Sequence, residues 1–211
     1  MPDPEEAIEW WTELTFVVRD APLFPLEGFA DNLSEFITLF DVGSGYDHLT
    51  QQVDKLLSER YGDFIAAEKC RDRAMKFYKK GEILRAINQL HQSKVRWFAE
   101  ETLSDSLFSM LMISQWYSEL GLCLAAKYYA LATAFIILHS SKSDVKYLLP
   151  KALIMAAECD YDQGSWAGFL ELIDIGLRAH GFFSKHVDDI NRDWDLQRTL
   201  FHTTTLVAIT E

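Results

Sequence analysis

The sequence predicts an all-α protein that is built largely from pairs of antiparallel helices. Three glycines, Gly81, Gly121 and Gly164, lie 40 and 43 residues apart, and each sits between two helix-length segments. Small and apolar residues recur at similar offsets around these glycines. A helix, a glycine turn and a second helix form a hairpin, and self-similarity at a fixed period is typical of repeat proteins. We therefore expect three stacked helical hairpins between residues 63 and 181.

The most apolar part of the chain, residues 120–138, is the second helix of the middle hairpin in this interpretation. The run is long enough to cross a bilayer, but Lys127 interrupts it and no basic cluster flanks it. Its five alanines favour a helix, and the run is longer than an ordinary strand. We expect neither a membrane span nor a strand, but a helix that its neighbours bury around most of its circumference.

The spacing around the first two glycines resembles that of the tetratricopeptide repeat family. A small residue lies seven positions before the glycine, an aromatic residue four before, and a small residue five after. These residues are Ala74, Phe77 and Ala86 in the first segment, and Ser114, Tyr117 and Ala126 in the second.

The third segment departs from this pattern. It keeps Ala157 but has Asp160 at the aromatic position and Phe169 at the second small position. All units are also longer than the family's ~34 residues. The resemblance covers a little over half of the chain and implies a right-handed α-solenoid of stacked antiparallel helix pairs.

Residues 1–62 and 182–211 flank the repeats. In the N-terminal segment Trp10, Trp11, Leu14 and Val17 or Val18 recur at helical spacing, and we expect a helical cap that packs on the repeats. From residue 46 the pattern predicts either one long helix to about residue 80 or two helices broken near Gly62. Residues 182–211 predict the first helix of a further, truncated repeat, so we expect a fragment of a larger regulatory protein.

The formal net charge of −12 is unevenly distributed. Residues 1–63 hold 14 acidic and 3 basic side chains, a net charge of −11, whereas residues 64–100 hold 9 basic and 4 acidic, a net charge of +5. The excess of acidic residues disfavours nucleic acid as a partner. The opposite signs predict that the acidic segment docks on the first repeat.

The sequence contains none of the common motifs for phosphate binding, nucleophilic hydrolysis or zinc proteolysis. The six histidines are scattered, the three cysteines are far apart, and the acidic run 188–195 lacks the glycine and glutamate of a calcium loop. We expect no enzyme activity, no metal and no cofactor. An acidic start without a signal peptide, with cysteines that read as reduced thiols, is typical of a cytoplasmic protein.

The resemblance implies a protein-interaction module in which the first helices of the pairs form a concave wall for a peptide or a helix of a partner protein. We expect neither nucleic acid nor membrane as a partner. The groove-facing residues carried over from the family are Arg71, Met75, Tyr78 and Lys79, then Phe108, Leu111, Gln115 and Ser118, then Lys151, Ile154, Glu158 and Tyr161. Met75 stands where carboxylate-clamping members have asparagine, which argues against a chaperone tail as the ligand.

Two alternatives remain open at this point. The repeats are compatible with an architectural or oligomerisation arm between sensor and effector domains, in which exposed solenoid ends join copies of the chain. A helical enzyme with an acidic pocket is the third hypothesis. The same groove residues are also candidates for contact with the acidic segment 1–62, which would cover the groove.

Overall fold

The computed structural model describes residues 3–39, 45–99 and 101–183, and all regular secondary structure in these residues is helical. The α-helices are α1 (Pro4–Asp20), α2 (Leu26–Leu39), α3 (Gly45–Tyr61), α4 (Asp63–Lys79), α5 (Ile83–Arg96), α6 (Leu103–Glu119), α7 (Cys123–His139), α8 (Leu149–Asp162) and α9 (Trp166–Phe183). A short 3₁₀ helix, Lys146–Leu148, leads into α8. The all-α prediction is confirmed for this part of the chain. The helix expected within 182–211 lies almost entirely outside the described residues.

The chain forms two compact units, Met1–Thr102 and Leu103–Glu211. The first contains α1 to α5 and the second contains α6 to α9. Within the described ranges, no helix is both long enough and apolar enough to cross a membrane.

The three glycines that define the repeats each end the first helix of a hairpin. Gly81, Gly121 and Gly164 have φ angles of 85°, 72° and 70°, in the left-handed region that glycine tolerates best. In each turn the residue after the glycine donates its backbone N–H to a carbonyl five positions earlier, over 2.8–2.9 Å. The donor and acceptor pairs are Glu82 with Phe77, Leu122 with Tyr117, and Ser165 with Asp160.

This geometry is the Schellman motif, which satisfies the last carbonyls of a helix and reverses the chain. The helices that each turn joins pack against each other: α4 on α5, α6 on α7 and α8 on α9. Because the connections are only a few residues long, the paired helices run antiparallel. The predicted place of the three glycines, at bends between antiparallel helices, is confirmed. Gly62, at φ 92°, separates α3 from α4, so the broken pair is the correct one of the two predicted alternatives.

Adjacent tryptophans of α1 face different environments. The ring of Trp11 packs between Phe29 and Phe36 of α2, with centroid distances of 5.3 and 5.7 Å. Trp10 is exposed, as are Leu14 and Val17, because neighbouring helical positions point about 100° apart. The predicted stripe is therefore wrong at Trp10 and Leu14, and Val18 is the correct one of the two alternatives for its last position. The inward face of α1 is formed by Ala7, Trp11, Thr15 and Val18.

A fully buried ion pair joins α3 and α4 in the first unit, and its arginine also bonds to α5. Arg73 of α4 and Asp54 of α3 expose none of their side-chain surface, and Arg73 Nη2 donates to Asp54 Oδ2 over 2.6 Å. Arg73 Nε donates to Gln89 Oε1 of α5 over 2.7 Å, and Cys70 Sγ donates to Asp54 Oδ2 over 3.3 Å. Burial alone lowers the pKa of Arg73, but the Asp54 carboxylate reverses this effect and the pKa is raised. The guanidinium therefore stays charged and holds α3, α4 and α5 in register.

Acidic residues of α2 meet basic residues of α4 at the surface of the same unit. Lys69 Nζ lies 2.8 Å from Asp31 Oδ1 and 3.9 Å from Glu27 Oε2, and Lys76 pairs with Glu35. Exposed pairs of this kind contribute little each. Their number nevertheless shows that the charges of these two helices are complementary.

The second unit is held together by an apolar core to which α6, α7 and α8 all contribute. The core residues are Leu107, Leu111, Ala134, Ile137, Val145, Leu148, Leu149, Ala152 and Leu153. Where α6 and α7 approach closely, Ser114 Oγ donates to the carbonyl of Ala126 over 2.8 Å, which uses the two small residues of the predicted repeat. Between α8 and α9 the close approach is made by Gly168, since a Cβ there would lie 2.5 Å from Asp160 Oδ2. The small residue is thus one position earlier than the repeat pattern predicted, and Phe169 packs in the core instead.

We expect Arg73→Met to destabilise the chain by about 3–5 kcal/mol, because it leaves the Asp54 carboxylate buried without a cation. Adding Asp54→Leu should recover much of this loss. Lys69→Met, which breaks a partly exposed pair on the same helix, should cost less than about 1 kcal/mol. Urea unfolding followed by circular dichroism measures all three, and equal losses for the two single variants would contradict the assigned role.

Gly121→Ala should destabilise the middle hairpin by about 1–2 kcal/mol, because alanine at a φ of 72° is strained although a Cβ there would meet nothing within 4 Å. Gly28→Ala is the matched control. Gly28 lies inside α2 with similarly open surroundings, so the same substitution should stabilise by about 0.5–1 kcal/mol. Thermal unfolding of the two variants should shift in opposite directions.

Candidate functional site

The four predicted groove residues of the first repeat lie on α4. The Arg71 guanidinium lies over the Trp97 ring, 5.0 Å from its centroid, and Nη2 is 3.4 Å from Glu68 Oε1. Met75 and Tyr78 are half-buried and Lys79 is exposed. Arg71 is thus held by residues of its own hairpin.

A different set of α4 residues contacts the acidic N-terminal helices. Lys69 and Lys76 pair with carboxylates of α2, and Arg73 pairs with Asp54 of α3. Among the described residues, no ion pair joins Arg71 or Lys79 to the acidic N-terminal helices. The hypothesis that these two residues contact the N-terminal segment is therefore not supported.

The predicted residues of the second repeat divide between surface and core. Phe108 and Gln115 are exposed, and Ser118 is half-buried. Leu111 is 2% exposed and packs in the core of the second unit. This position was predicted to face a groove, but the neighbouring α8 covers it.

The third repeat divides in the same way. Glu158 is exposed, and Lys151 and Tyr161 are half-buried. Ile154 is 1% exposed and packs against Phe169 and Ile173 of α9. Leu111 and Ile154 therefore stabilise the fold and cannot contact a partner while it is intact.

Gln115, Ser118, Glu158 and Tyr161 lie in the C-terminal halves of α6 and α8, and we call these four residues the α6/α8 surface. Phe108 and Lys151, which also reach solvent, lie in the N-terminal halves of the same helices. The two helices are neighbours in the second unit. Gln115 Nε2 donates to Glu119 Oε1 over 3.2 Å, which orients this amide along the surface. The surface is therefore polar, with an acidic excess.

Aromatic rings border the α8 side of this surface. The Tyr161 ring lies 5.4 Å from both Trp166 and Phe169, and its contact with Trp166 is edge-to-face. Phe169 is buried, whereas Trp166 at the start of α9 is half exposed. The outer ring thus offers an apolar contact beside the carboxylates.

The carboxylates of α8 have separate roles. Asp160 is buried and pairs with Lys127 of α7, whereas Glu158, two positions earlier, points outward as i, i+2 residues on a helix do. Lys127, the one charge within the apolar run, is explained by this pair. Sequence reasoning noted both residues as departures from pattern but did not connect them.

Glu158 is the residue of this surface with the most perturbed acidity. Burial raises its pKa to about 7, and the Asp162 carboxylate adds to the rise, although the side chain still reaches solvent. The charge of the α6/α8 surface therefore changes near neutral pH.

The outer side of α7 carries an apolar face that sequence reasoning missed. Leu124, Tyr128, Leu131, Phe135 and Leu138 are between 36% and 75% exposed and recur at intervals of four and three residues. The opposite side of the helix, which includes Ala126, Ala130 and Ala134, is buried. The expectation that neighbours bury α7 around most of its circumference is wrong. The signal was the segregation of large residues from alanines within the run. We call these five residues the α7 face.

A groove of about 230 Å³ lies between α1 and α3. It is lined by Thr15, Phe16, Arg19, Gln52, Lys55, Leu56 and Glu59. This lining carries both signs of charge, so the groove is not the acidic pocket of the enzyme hypothesis.

In the described part of the chain no group of three or more histidines, cysteines and carboxylates is placed to hold a metal ion. Cys70, Cys123 and Cys159 are free thiols. Burial, with the neighbouring Asp54 carboxylate, raises the pKa of Cys70 to about 12, so it is a poor nucleophile at neutral pH.

Comparisons of the sequence with protein-family models and with curated proteins find no match. What the chain binds must therefore be inferred from its own surfaces.

Replacing Glu158 with glutamine should make stability less dependent on pH. Since the folded-state pKa is raised to about 7, the folded chain keeps a proton that the unfolded chain has released, and wild-type stability falls as pH rises from about 4.5 to 7. Because the side chain reaches solvent, we expect Glu158→Gln to be more stable than wild type by only about 0.5–1 kcal/mol at pH 8, and equal to it at pH 4.

Glu171→Gln, at an exposed site on α9, is the matched control for this measurement. Urea unfolding between pH 4 and pH 8 gives the free energy of unfolding of each variant. The difference between the two variants is the contribution of Glu158. A Glu158→Gln curve parallel to that of wild type would contradict the prediction.

Proposed function

We propose that the chain is a non-catalytic protein-interaction module and that its α6/α8 surface binds a peptide or a helix of a partner protein. The observation that carries the proposal is that Gln115 and Glu158 are exposed, and Ser118 and Tyr161 half-buried, on two first helices that contact each other. Rigid helices that keep polar side chains at the surface suit recognition of a peptide.

The same turn geometry in all three hairpins supports a tetratricopeptide-like arrangement of the helices. The close approach of Ser114 to Ala126 is the small-residue contact that this family's pattern implies. A right-handed solenoid is part of this proposal, as is a cytoplasmic location, with which three free cysteines agree.

The chemistry of the α6/α8 surface favours a basic ligand. Glu158, Glu119 and Asp162 supply exposed carboxylates, and the exposed Trp166 ring contacts Tyr161 of this surface. A lysine or arginine would gain both charge complementarity and an aromatic contact. We therefore propose a basic segment with an adjacent apolar side chain as the ligand.

The α7 face favours the second candidate, an architectural or oligomerisation arm. This face is apolar and lies on a second helix of a hairpin, so it is chemically distinct from the α6/α8 surface. The two functions are compatible in one chain.

Panning a random peptide library against the 211-residue chain tests the proposed function. We expect enriched peptides with lysine or arginine next to an aromatic or aliphatic residue. The double variant Glu158→Lys plus Asp162→Lys should weaken their binding at least about tenfold, a loss of about 1.4 kcal/mol, measured by fluorescence anisotropy.

Glu171→Lys plus Asp174→Lys on α9 makes the same charge change at exposed sites and should alter binding by less than about twofold. Lys79→Glu tests the α4 surface without disturbing the contact between Arg71 and Trp97, and should leave binding intact. Failure to enrich any peptide, or equal losses in the two double variants, would rule out the α6/α8 surface.

A further inference from the structure

We propose that the α7 face is a self-association surface, on which a second copy of this chain packs with the two α7 helices antiparallel about a two-fold axis at Leu131. The inference goes beyond the proposed peptide binding and rests on a different helix. On one side α7 exposes an apolar face, while its other side is buried in the second unit.

The order of residues along the face is the same from either end. From Leu124 to Leu138, and equally from Leu138 to Leu124, the residues are leucine, aromatic, leucine, aromatic and leucine. An antiparallel alignment centred on Leu131 places Leu124 level with Leu138, and Tyr128 within one residue, about 1.5 Å along the axis, of Phe135. A two-fold interface requires such a self-complementary patch, and offset aromatic pairs stabilise it.

The charges on α7 favour a copy of itself over a charged partner. Lys127 is the one lysine, arginine or acidic residue in the helix, and its ammonium pairs with the buried Asp160 of α8. The face therefore presents no like charge to repel a second copy. It also lacks the charged groups with which a basic or acidic peptide would pair.

The size of the face fits a modest dimer. Five large side chains exposed to this degree make an apolar patch of roughly 500 Å² over a length of about 21 Å. A standard interface takes about 800 Å² from each partner, so this patch corresponds to the small interfaces of weak, reversible complexes. Ala125 and Ala132 are half-buried beside the row and leave room for close approach of two helices.

The first test is the mass of the full chain by sedimentation velocity across the micromolar range. We expect a monomer–dimer equilibrium, with Leu131→Lys and Tyr128→Lys each raising the dissociation constant at least about tenfold. Leu170→Lys, at an exposed leucine of α9 in the same unit, should leave it unchanged. Tyr128 is more exposed than Leu131, so it provides a readout if Leu131→Lys disturbs folding, which circular dichroism would show.

The second test fixes the orientation by disulfide trapping in a Cys123→Ser background, which removes the partly exposed native thiol of α7. Leu131→Cys should form a covalent dimer on oxidation, because this position meets itself at the axis. Leu124→Cys should not cross-link alone, but should do so when mixed with Leu138→Cys chains. Self-linking of Leu124→Cys would mean a parallel pair and would overturn the proposed axis.

Other outcomes would overturn the proposal outright. These are a chain that stays monomeric throughout, or a dimer that survives both lysine variants. A monomer in which Leu131→Cys resists thiol labelling would show that the face is covered within the same chain. Peptide binding should persist in Leu131→Lys, and dimerisation should persist in Glu158→Lys plus Asp162→Lys, so failure of one function is separable from failure of the other.

Discussion

Reversal of the chain at a left-handed glycine is the constraint on which each hairpin depends. At Gly81, Gly121 and Gly164 the backbone has a positive φ, and the following N–H closes the helix on a carbonyl five residues back. This turn lets two helices of ordinary length lie side by side over a connection of three residues. The antiparallel packing of each helix pair follows from that geometry.

Among the described residues of each unit, one charge pair between helices has a buried carboxylate. Arg73 and Asp54 lie wholly inside the first unit, and Lys127 reaches the buried Asp160 in the second. Pairs of this kind add little net stability compared with apolar residues of the same shape. They do penalise any packing that separates the partners. We interpret them as devices that select one alignment of α3 with α4 and of α7 with α8.

The second unit presents two chemically different surfaces. The C-terminal halves of α6 and α8 expose amide and carboxylate groups, whereas the outer side of the second helix α7 exposes leucines and aromatic rings. The two surfaces would bind in different ways. A polar surface binds a partner through charge and hydrogen bonds, whereas an apolar surface needs a partner of matching shape. The proposed peptide and the proposed second copy of the chain would therefore occupy different surfaces.

Several features of this protein were determined by its sequence alone. Periodicity and glycine spacing predicted the helices of the repeats, their turns and the pairing of the alanine or serine positions, because these depend on residues close in the chain. Only the tertiary structure decided that Leu111 and Ile154 are core residues, that Trp11 is covered and Trp10 exposed, and that the α7 face stays open. Helical periodicity shows which residues share a side of a helix, but not how many neighbours cover that side. The same holds for Lys127 and Asp160, whose contact spans 33 residues of chain and exists only once α7 packs on α8.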